Sequence, residues 1–219
     1  QPTPVKQAAL ELGIPMDQPT KARDPEFIER LRTLAPDLMV VAAYGQLLPQ
    51  TLLDIPRHGC LNVHTSLLPA YRGAAPIQWA LADGLNETGV TLMRMEVGLD
   101  TGPIVTTATT PILDEDTGQS LHDRLADLGG ELLVRSLPDY LAGYLQPRPQ
   151  RLDGVSLARK ITKEDGRLVW ERPAAELWRR LRAFTPWPGA FCHAEGGGKT
   201  RLVKVHAASL SEGSGRPGE

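Results

Sequence analysis

The amino-acid sequence places an asparagine and a histidine two residues apart, Asn62 and His64, in a stretch where apolar and polar residues alternate. Such alternation predicts a half-buried strand, on which residues two apart project from the same face. A side-chain amide can donate to a developing oxyanion, and an imidazole can move a proton near neutral pH. The pair therefore suits acyl-transfer chemistry. The alternative is a polar-faced strand whose histidine has only a structural role.

Asp100 is the third residue that could take part in chemistry. It lies in a short loop bracketed by Gly98 and Gly102, directly after an alternating segment that predicts a strand. In a parallel sheet the loops that follow strands gather at the carboxyl edge, where ligands bind. We expect Asp100 to reach His64 at that edge and to orient its ring. A carboxylate that caps its own loop is the alternative.

The elements that must position these residues alternate along the first two thirds of the chain. An apolar run at 38–44 is typical of a strand covered on both faces, and further strands are predicted at 89–95 and 104–110. A leucine-striped helix is predicted from about Thr117 to Leu145. This order predicts an α/β fold with a mostly parallel sheet at 1–145, a linker at 146–155 and a small β-barrel at 156–219.

Charge divides the chain in a way that its net value of −2 conceals. Residues 148–206 carry 13 Lys or Arg against 6 Asp or Glu, so the remaining residues are acidic overall. A basic second region predicts a polyanionic partner, and a chance surplus on a solvated face is the alternative. No apolar run is long enough to span a membrane, so we expect no membrane partner. The two cysteines, 132 positions apart, fit a reducing compartment.

Longer motifs surround the three candidate residues. Asn62-x-His64 continues into Ser66-Leu67-Leu68-Pro69 and Tyr71-Arg72-Gly73, and Asp100 lies within the segment 98–102. This combination resembles the folate-dependent formyltransferases. Segments in the second region, at 158–166 and 182–190, resemble the branch of that family that acts on methionyl-tRNA.

The resemblance implies a fold and a reaction. The fold is a Rossmann-like catalytic domain followed by an OB-like barrel that holds tRNA. The reaction is transfer of the formyl group of 10-formyltetrahydrofolate to the α-amino group of methionine on initiator tRNA. Asn62 is then the oxyanion donor, His64 the proton carrier and Asp100 the group that holds the imidazole. Residues 66–69 form the wall of the folate pocket: Ser66, Leu67, Leu68 and Pro69.

The resemblance also gives the basic second region a purpose. The candidates for phosphate contacts are Arg179, Arg180, Arg182, Lys199, Arg201 and Lys204. No metal is expected, because a formyl carbonyl is already a good electrophile. We further expect a monomer located in the cytoplasm, although the chain opens on Gln1, which leaves an organelle-targeting segment open. The resemblance implies that the family's first strand–helix unit and the end of its barrel lie outside this sequence.

Two rival functions are also compatible with the sequence. One is a formyl-folate enzyme that acts on a small amine, such as a purine precursor or an amino sugar. The basic second region and the segment 184–189 count against it. The other is a non-catalytic RNA-binding protein, for which changing Asn62 or His64 would leave function intact.

Overall fold

The computed structural model describes residues 2–213 and 215–216. The helices of this part of the chain are α1 (Pro4–Glu11), α2 (Pro25–Leu34), α3 (Gln50–Leu53), α4 (Pro76–Asp83), α5 (Gly118–Leu141) and α6 (Ala174–Ala183). Its strands are β1 (Met39–Ala42), β2 (Cys60–His64), β3 (Arg72–Gly73), β4 (Glu87–Arg94), β5 (Ile104–Pro111), β6 (Leu157–Ala158), β7 (Ala190–Gly196) and β8 (Lys199–Val205). A 3₁₀ turn spans Lys163–Gly166. Gln1, Ser214 and residues 217–219, which the predicted domain ranges include, lie outside the described residues.

A four-stranded sheet in the order β1–β2–β4–β5 lies at the centre of the first region. β1 and β2 are parallel, whereas β2–β4 and β4–β5 are antiparallel. The mixed α/β class is confirmed, and the sheet is parallel-rich: β1, β2 and β5 run in the same direction, and β4 alone runs against them. The connection between β4 and β5, residues 95–103, is short. A parallel crossover needs about a dozen residues or more, so β5 must return as the second arm of a hairpin.

Helix α5 covers one face of this sheet, because its leucines repeat at helical spacing. Leu121, Leu125 and Leu132 are buried in the main core, and each contributes about 1.5–3 kcal/mol through burial. Gly129 allows the helix to approach β2 closely, since a Cβ there would come within 2.8 Å of Val63 Cγ1. Val63 therefore points toward α5. Its neighbours Asn62 and His64 project from the opposite face of the strand.

The second region packs back against the first. β6 pairs in parallel with β3, and the carbonyl of Ala158 accepts a hydrogen bond from the backbone N–H of Ala74 at 2.8 Å. Phe184, just after α6, is fully buried in the main core, where its ring meets that of Trp79 edge to face at 5.9 Å between centroids. The two regions thus share packed apolar surface across the predicted linker.

The strands of the second region are few. β7 and β8 form an antiparallel hairpin, whose residues Ala190 and Cys192 pack with Leu177 and Leu181 of α6. Among the described residues β6 pairs with β3 of the first region, and a single bridge joins Arg167 to β7. Closure of these strands into an OB-like barrel stays a prediction, as does the predicted division into domains. None of the described helices combines the length and the apolarity needed to cross a bilayer.

Candidate active site

Strand β2 presents Asn62 and His64 side by side on the face turned away from α5. In the antiparallel ladder with β4, Asn62 lies opposite Met93 and His64 lies opposite Thr91. His64 is buried and Asn62 is half-buried. A strand held between two neighbours has little freedom, so the two side chains keep a fixed separation and direction.

Asp100 brings a carboxylate to this pair. Its Oδ1 lies 3.5 Å from Nδ2 of Asn62, and its Oδ2 lies 3.8 Å from Nδ1 of His64. The backbone N–H of Gly73 donates to Oδ2 at 2.8 Å. The structure therefore brings all three predicted catalytic side chains together, although their catalytic roles stay predictions.

The loop that carries Asp100 does not start at the carboxyl end of β2, where the sequence predicted it. Because β4 runs antiparallel to β2, its last residue, Arg94, pairs with Leu61 near the amino end of β2. The loop 95–103 thus begins at the edge opposite to the carboxyl end of β2, and it must fold back toward Asn62 and His64. The loop turns back through two residues with positive φ, Gly98 at 146° and Asp100 at 52°.

The carbonyl of Tyr71 fixes the role of each nitrogen in the His64 ring. Nε2 of His64 lies 3.1 Å from that carbonyl oxygen. A carbonyl can only accept a hydrogen bond, so Nε2 must carry a proton. Nδ1 is then the nitrogen left to accept or release a proton, and it faces Asp100. When the ring is protonated, Nδ1–H can donate toward the carboxylate.

Tyr71 is itself held in place from both ends. Its N–H donates to the Ser156 hydroxyl at 2.8 Å, and its own hydroxyl donates to the Asp83 carboxylate at 3.0 Å. Burial, together with the neighbouring Asp83 carboxylate, raises the pKa of Tyr71 to about 12. The phenol therefore stays protonated at neutral pH and keeps donating to Asp83.

The predicted folate segment 66–69 forms a tight turn after β2. The Ser66 hydroxyl donates to the carbonyl of Ala70 at 2.6 Å, so it stabilises the turn itself. Leu67 packs against Gly89, where an added Cβ would come within 2.6 Å of Leu67 Cδ2. The backbone N–H of Leu68 donates to the hydroxyl of Thr91 at 3.1 Å, which ties the turn to β4.

Leu68 and Pro69 line a cavity of about 360 Å³, which lies within the size range of small-molecule pockets. Its other walls come from β5 and from the segment after α5, including Arg148 and Arg151. Of the four residues predicted to bind folate, these two contribute to a cavity, whereas Ser66 and Leu67 have the structural contacts described above.

The three arginines predicted on α6 have bonding partners within the protein. Arg182 is 9% exposed, and its Nη1 donates to the carbonyls of Leu113, Asp114 and Asp116 at 2.9, 2.6 and 3.2 Å. Burial lowers its pKa, but a guanidinium remains charged at neutral pH. These contacts direct the charge of Arg182 into the protein, and a phosphate contact for Arg182 stays a prediction.

Arg179 and Arg180 are half-buried. Nε of Arg179 donates to the carbonyl of Ala82 at 3.3 Å, and Nη2 of Arg180 donates to the carbonyl of Asp165 at 2.8 Å. Phosphate contacts by these two arginines stay predictions.

The cationic side chains of β8, unlike the arginines of α6, are exposed to solvent. Lys199, Arg201 and Lys204 are all exposed on the hairpin. Lys204 also lines a cavity of about 650 Å³, together with the exposed Trp187 and with Lys163. Cationic and aromatic groups at an open surface are the elements with which proteins hold RNA phosphates and unstacked bases.

In the part of the chain that the structure describes, no group of three or more His, Cys, Asp and Glu side chains is placed to hold a metal ion. The expectation that the reaction needs no metal stays a prediction.

Some residues of the site were not assigned a role from the sequence. Tyr71 and Gly73 belong to a quoted motif, and their backbone groups contact His64 and Asp100. No sequence pattern connected Gln150 with the site, because it lies 50 positions from Asp100 within the predicted linker. Its contacts depend on how the chain folds back, which no local pattern reports.

The family model for formyl transferase matches residues 1–137, and the model for the C-terminal domain of formyl transferase matches residues 160–219. The chain belongs to the formyltransferase family.

Individual relatives within the formyltransferase family are close. The chain is 57% identical to the methionyl-tRNA formyltransferase of Myxococcus xanthus over 215 residues, which cover 98% of this chain and 68% of that protein. Among solved structures, a sugar N-formyltransferase from a Shewanella species superposes with a TM-score of 0.73 at 20% identity, over 93% of this chain and 81% of that one. HypX from Aquifex aeolicus in complex with tetrahydrofolic acid superposes with a TM-score of 0.70 at 24% identity, over 90% of this chain and 34% of that one. At these identities the two structural likenesses show the fold alone.

Proposed function

We propose that this formyltransferase moves the formyl group of 10-formyltetrahydrofolate onto the α-amino group of methionine on initiator tRNA, for translation initiation. The observation that carries the proposal is the convergence of Asn62, His64 and Asp100 on one face of β2. The relative with 57% identity, a methionyl-tRNA formyltransferase, supports the choice of acceptor.

The proposed reaction begins with attack by the amine nitrogen on the formyl carbon. An α-amino group has a pKa of roughly 7.7–8.0, so part of it is unprotonated at neutral pH and needs little activation. The new C–N bond converts the formyl oxygen into an oxyanion. Asn62 Nδ2 carries two hydrogens and directs one toward Asp100, so the other is available to the oxyanion. Such a donor is worth about 2.7–4 kcal/mol in the transition state.

His64 then carries a proton from the attacking amine to the leaving folate nitrogen. Its Nδ1 accepts the proton that the attacking amine loses, and the resulting imidazolium is stabilised by the Asp100 carboxylate 3.8 Å away. The same proton passes to N10 of the folate as the bond between the formyl carbon and N10 breaks. Formylated methionyl-tRNA and tetrahydrofolate leave, and the imidazole returns to its neutral form with Nε2–H on the Tyr71 carbonyl.

Folate binding is proposed at the turn 66–69 and the cavity beside it. Leu68 and Pro69 supply apolar wall, and Arg148 and Arg151 supply positive charge near the same opening. Apolar wall suits the ring systems of a folate, and the arginines suit its glutamate carboxylates. The fold likeness to HypX from Aquifex aeolicus, solved in complex with tetrahydrofolic acid, is consistent with this assignment.

For tRNA, the proposal rests on the hairpin rather than on α6. Lys199, Arg201 and Lys204 are exposed, and Trp187 stands 55% exposed beside Lys204 at the rim of the larger cavity. Each phosphate contact adds to affinity and to its dependence on salt. The monomeric state and the cytoplasmic location remain predictions.

A second candidate function is formyl transfer to an amino sugar, which the fold likeness to a sugar N-formyltransferase raises. The test is transfer of labelled formyl from 10-formyltetrahydrofolate to three acceptors at matched concentration: charged initiator tRNA, an amino-sugar nucleotide and a purine-precursor amine. We expect label on the methionyl-tRNA. Faster labelling of either small amine would favour the rival enzyme, and tRNA binding without any transfer would favour a non-catalytic RNA-binding protein.

A further inference from the structure

Gln150 connects two segments that both hold the Asp100 carboxylate. Its Nε2 donates to the carbonyl oxygens of Asp100 at 2.7 Å and Gly102 at 2.8 Å. Its Oε1 accepts from Nε of Arg72 at 3.0 Å and from Nη2 of the same guanidinium at 2.6 Å. One half-buried side chain thus links the Asp100 loop to the segment that follows the folate turn.

The partners of Gln150 leave one orientation for its amide. A guanidinium has only donors, so Oε1 must face Arg72, and the NH₂ group must then face the two carbonyls. Both hydrogens of the NH₂ group and its carbonyl oxygen are used. Such a fully satisfied amide resists rotation and holds its neighbours at fixed distances.

The two segments that Gln150 joins are those that set the position of the carboxylate. The backbone of Asp100 itself is bonded on one side, and Gly73, adjacent to Arg72, donates its N–H to Oδ2 on the other. Asp100 has a left-handed φ of 52°, a conformation that costs energy for a residue with a Cβ and persists only when its surroundings enforce it. The bonds from Gln150 to the Asp100 and Gly102 carbonyls supply part of that enforcement.

We propose that Gln150 is a positioning residue for the formyl-transfer site, which acts by holding the Asp100 carboxylate against His64 and Asn62. This inference rests on the proposed function. Loss of the two bonds to the loop lets Asp100 move away from a ring that it meets at 3.8 Å. Small misplacements of this kind cost about 100-fold in rate.

The test compares variants of Gln150 by steady-state kinetics with charged initiator tRNA and 10-formyltetrahydrofolate. Gln150→Glu keeps an acceptor for Arg72 but has no hydrogen to give the two carbonyls. Gln150→Ala removes both sets of bonds. We expect both variants to lose about 10- to 100-fold in kcat with little change in KM for tRNA. Gln119→Ala is the matched control, because Gln119 is an exposed glutamine on α5 that donates to Asp123 at 2.8 Å.

A second arm asks whether Gln150 acts through Asp100. In an Asp100→Asn background, Gln150→Glu should cause almost no further loss, because the carboxylate that it positions is already gone. Melting temperatures of all variants report their stability, and Gln150→Glu is expected to remain folded through its bond to Arg72.

The outcomes separate the inference from the function on which it rests. Wild-type kcat in Gln150→Glu would overturn the positioning role, and so would losses that multiply independently in the Asp100→Asn background. A wild-type protein that fails to formylate methionyl-tRNA, yet formylates a small amine with the same dependence on Gln150, would overturn the proposed acceptor and support the positioning role.

Discussion

The corner formed by Asn62, His64 and Asp100 and the hairpin β7–β8 are built in opposite ways. In the corner, two segments distant in sequence meet, and the side chains of His64 and Asp100 are only 7% and 14% exposed. The hairpin is a single antiparallel ladder whose cations Lys199 and Arg201 are exposed. Fixed, enclosed groups suit bond making, whereas exposed charges suit the capture of a large anionic partner. We therefore expect changes in the two regions to affect different steps.

The largest effect is expected in the corner. His64→Ala should lower kcat by about 10²- to 10⁴-fold, because the proton carrier is removed, while the affinity for tRNA is retained. His122→Ala is the matched control, since His122 also lies beside an aspartate, Asp123 at 3.1 Å, but on the exposed face of α5. Steady-state kinetics and a filter-binding assay measure the two quantities. Loss of tRNA affinity in His64→Ala would contradict the assignment of catalysis to the corner and of tRNA binding to the hairpin.

Arg182 provides the next effect, on stability rather than on either step. Arg182→Ala leaves three carbonyls without their donor, of which the Asp116 carbonyl is in a buried bond, and should lower the free energy of unfolding by roughly 3 kcal/mol. Denaturant unfolding, compared with Arg201→Ala on the exposed hairpin, measures it. An Arg182→Ala variant that unfolds like the wild type but binds tRNA weakly would support the predicted phosphate contact of Arg182.

The ion pair of Asp165, in the 3₁₀ turn Lys163–Gly166, should make the stability of the fold depend on pH. The guanidinium of Arg159 holds the pKa of Asp165 well below its usual range, helped by bonds from Thr162 and opposed by burial. A depressed pKa stabilises the fold above the unfolded value of about 3.9, and this stability is lost as pH falls below it. Asp165→Asn should therefore cost about 1.5–3 kcal/mol at pH 7 and progressively less toward pH 2. A cost that stays constant over this range of pH would show that the charge of Asp165 contributes nothing.

The smallest effect is expected on the hairpin. Lys204→Ala should weaken tRNA binding a few-fold and reduce the slope of log affinity against log salt concentration by about 0.7–0.9, the share of one phosphate contact. kcat at saturating tRNA should stay unchanged. Lys21→Ala, an exposed lysine in the first region, is the control. An unchanged salt slope in Lys204→Ala would remove Lys204 from the tRNA surface.

The sequence predicted the elements of the corner better than their arrangement. Period-two alternation correctly placed Asn62 and His64 on one face of a strand, since that period follows from strand geometry alone. The direction of β4 was wrong, because a hairpin and a crossover leave similar patterns in the residues of a strand. Asp100 reaches His64 through the reversal of its loop and not through a shared carboxyl edge.

The distribution of charged residues along the sequence was the least reliable predictor of the binding site. The count of basic residues in the second region identified Arg182 and Lys204 alike, but one is buried against carbonyls and the other is exposed. Amphipathic helix patterns do not report that an arginine can satisfy backbone carbonyls inside the fold. Gln150 shows the same limit, because its partners lie 48 to 78 positions away.

The most direct test of the corner as one catalytic unit is the single-turnover rate of formyl transfer to charged initiator tRNA in Asp100→Asn, His64→Ala and the double variant. Groups that act as a unit have non-additive effects, so the double variant should be no slower than the slower single variant. Losses that multiply, or a wild-type rate in either single variant, would contradict the account.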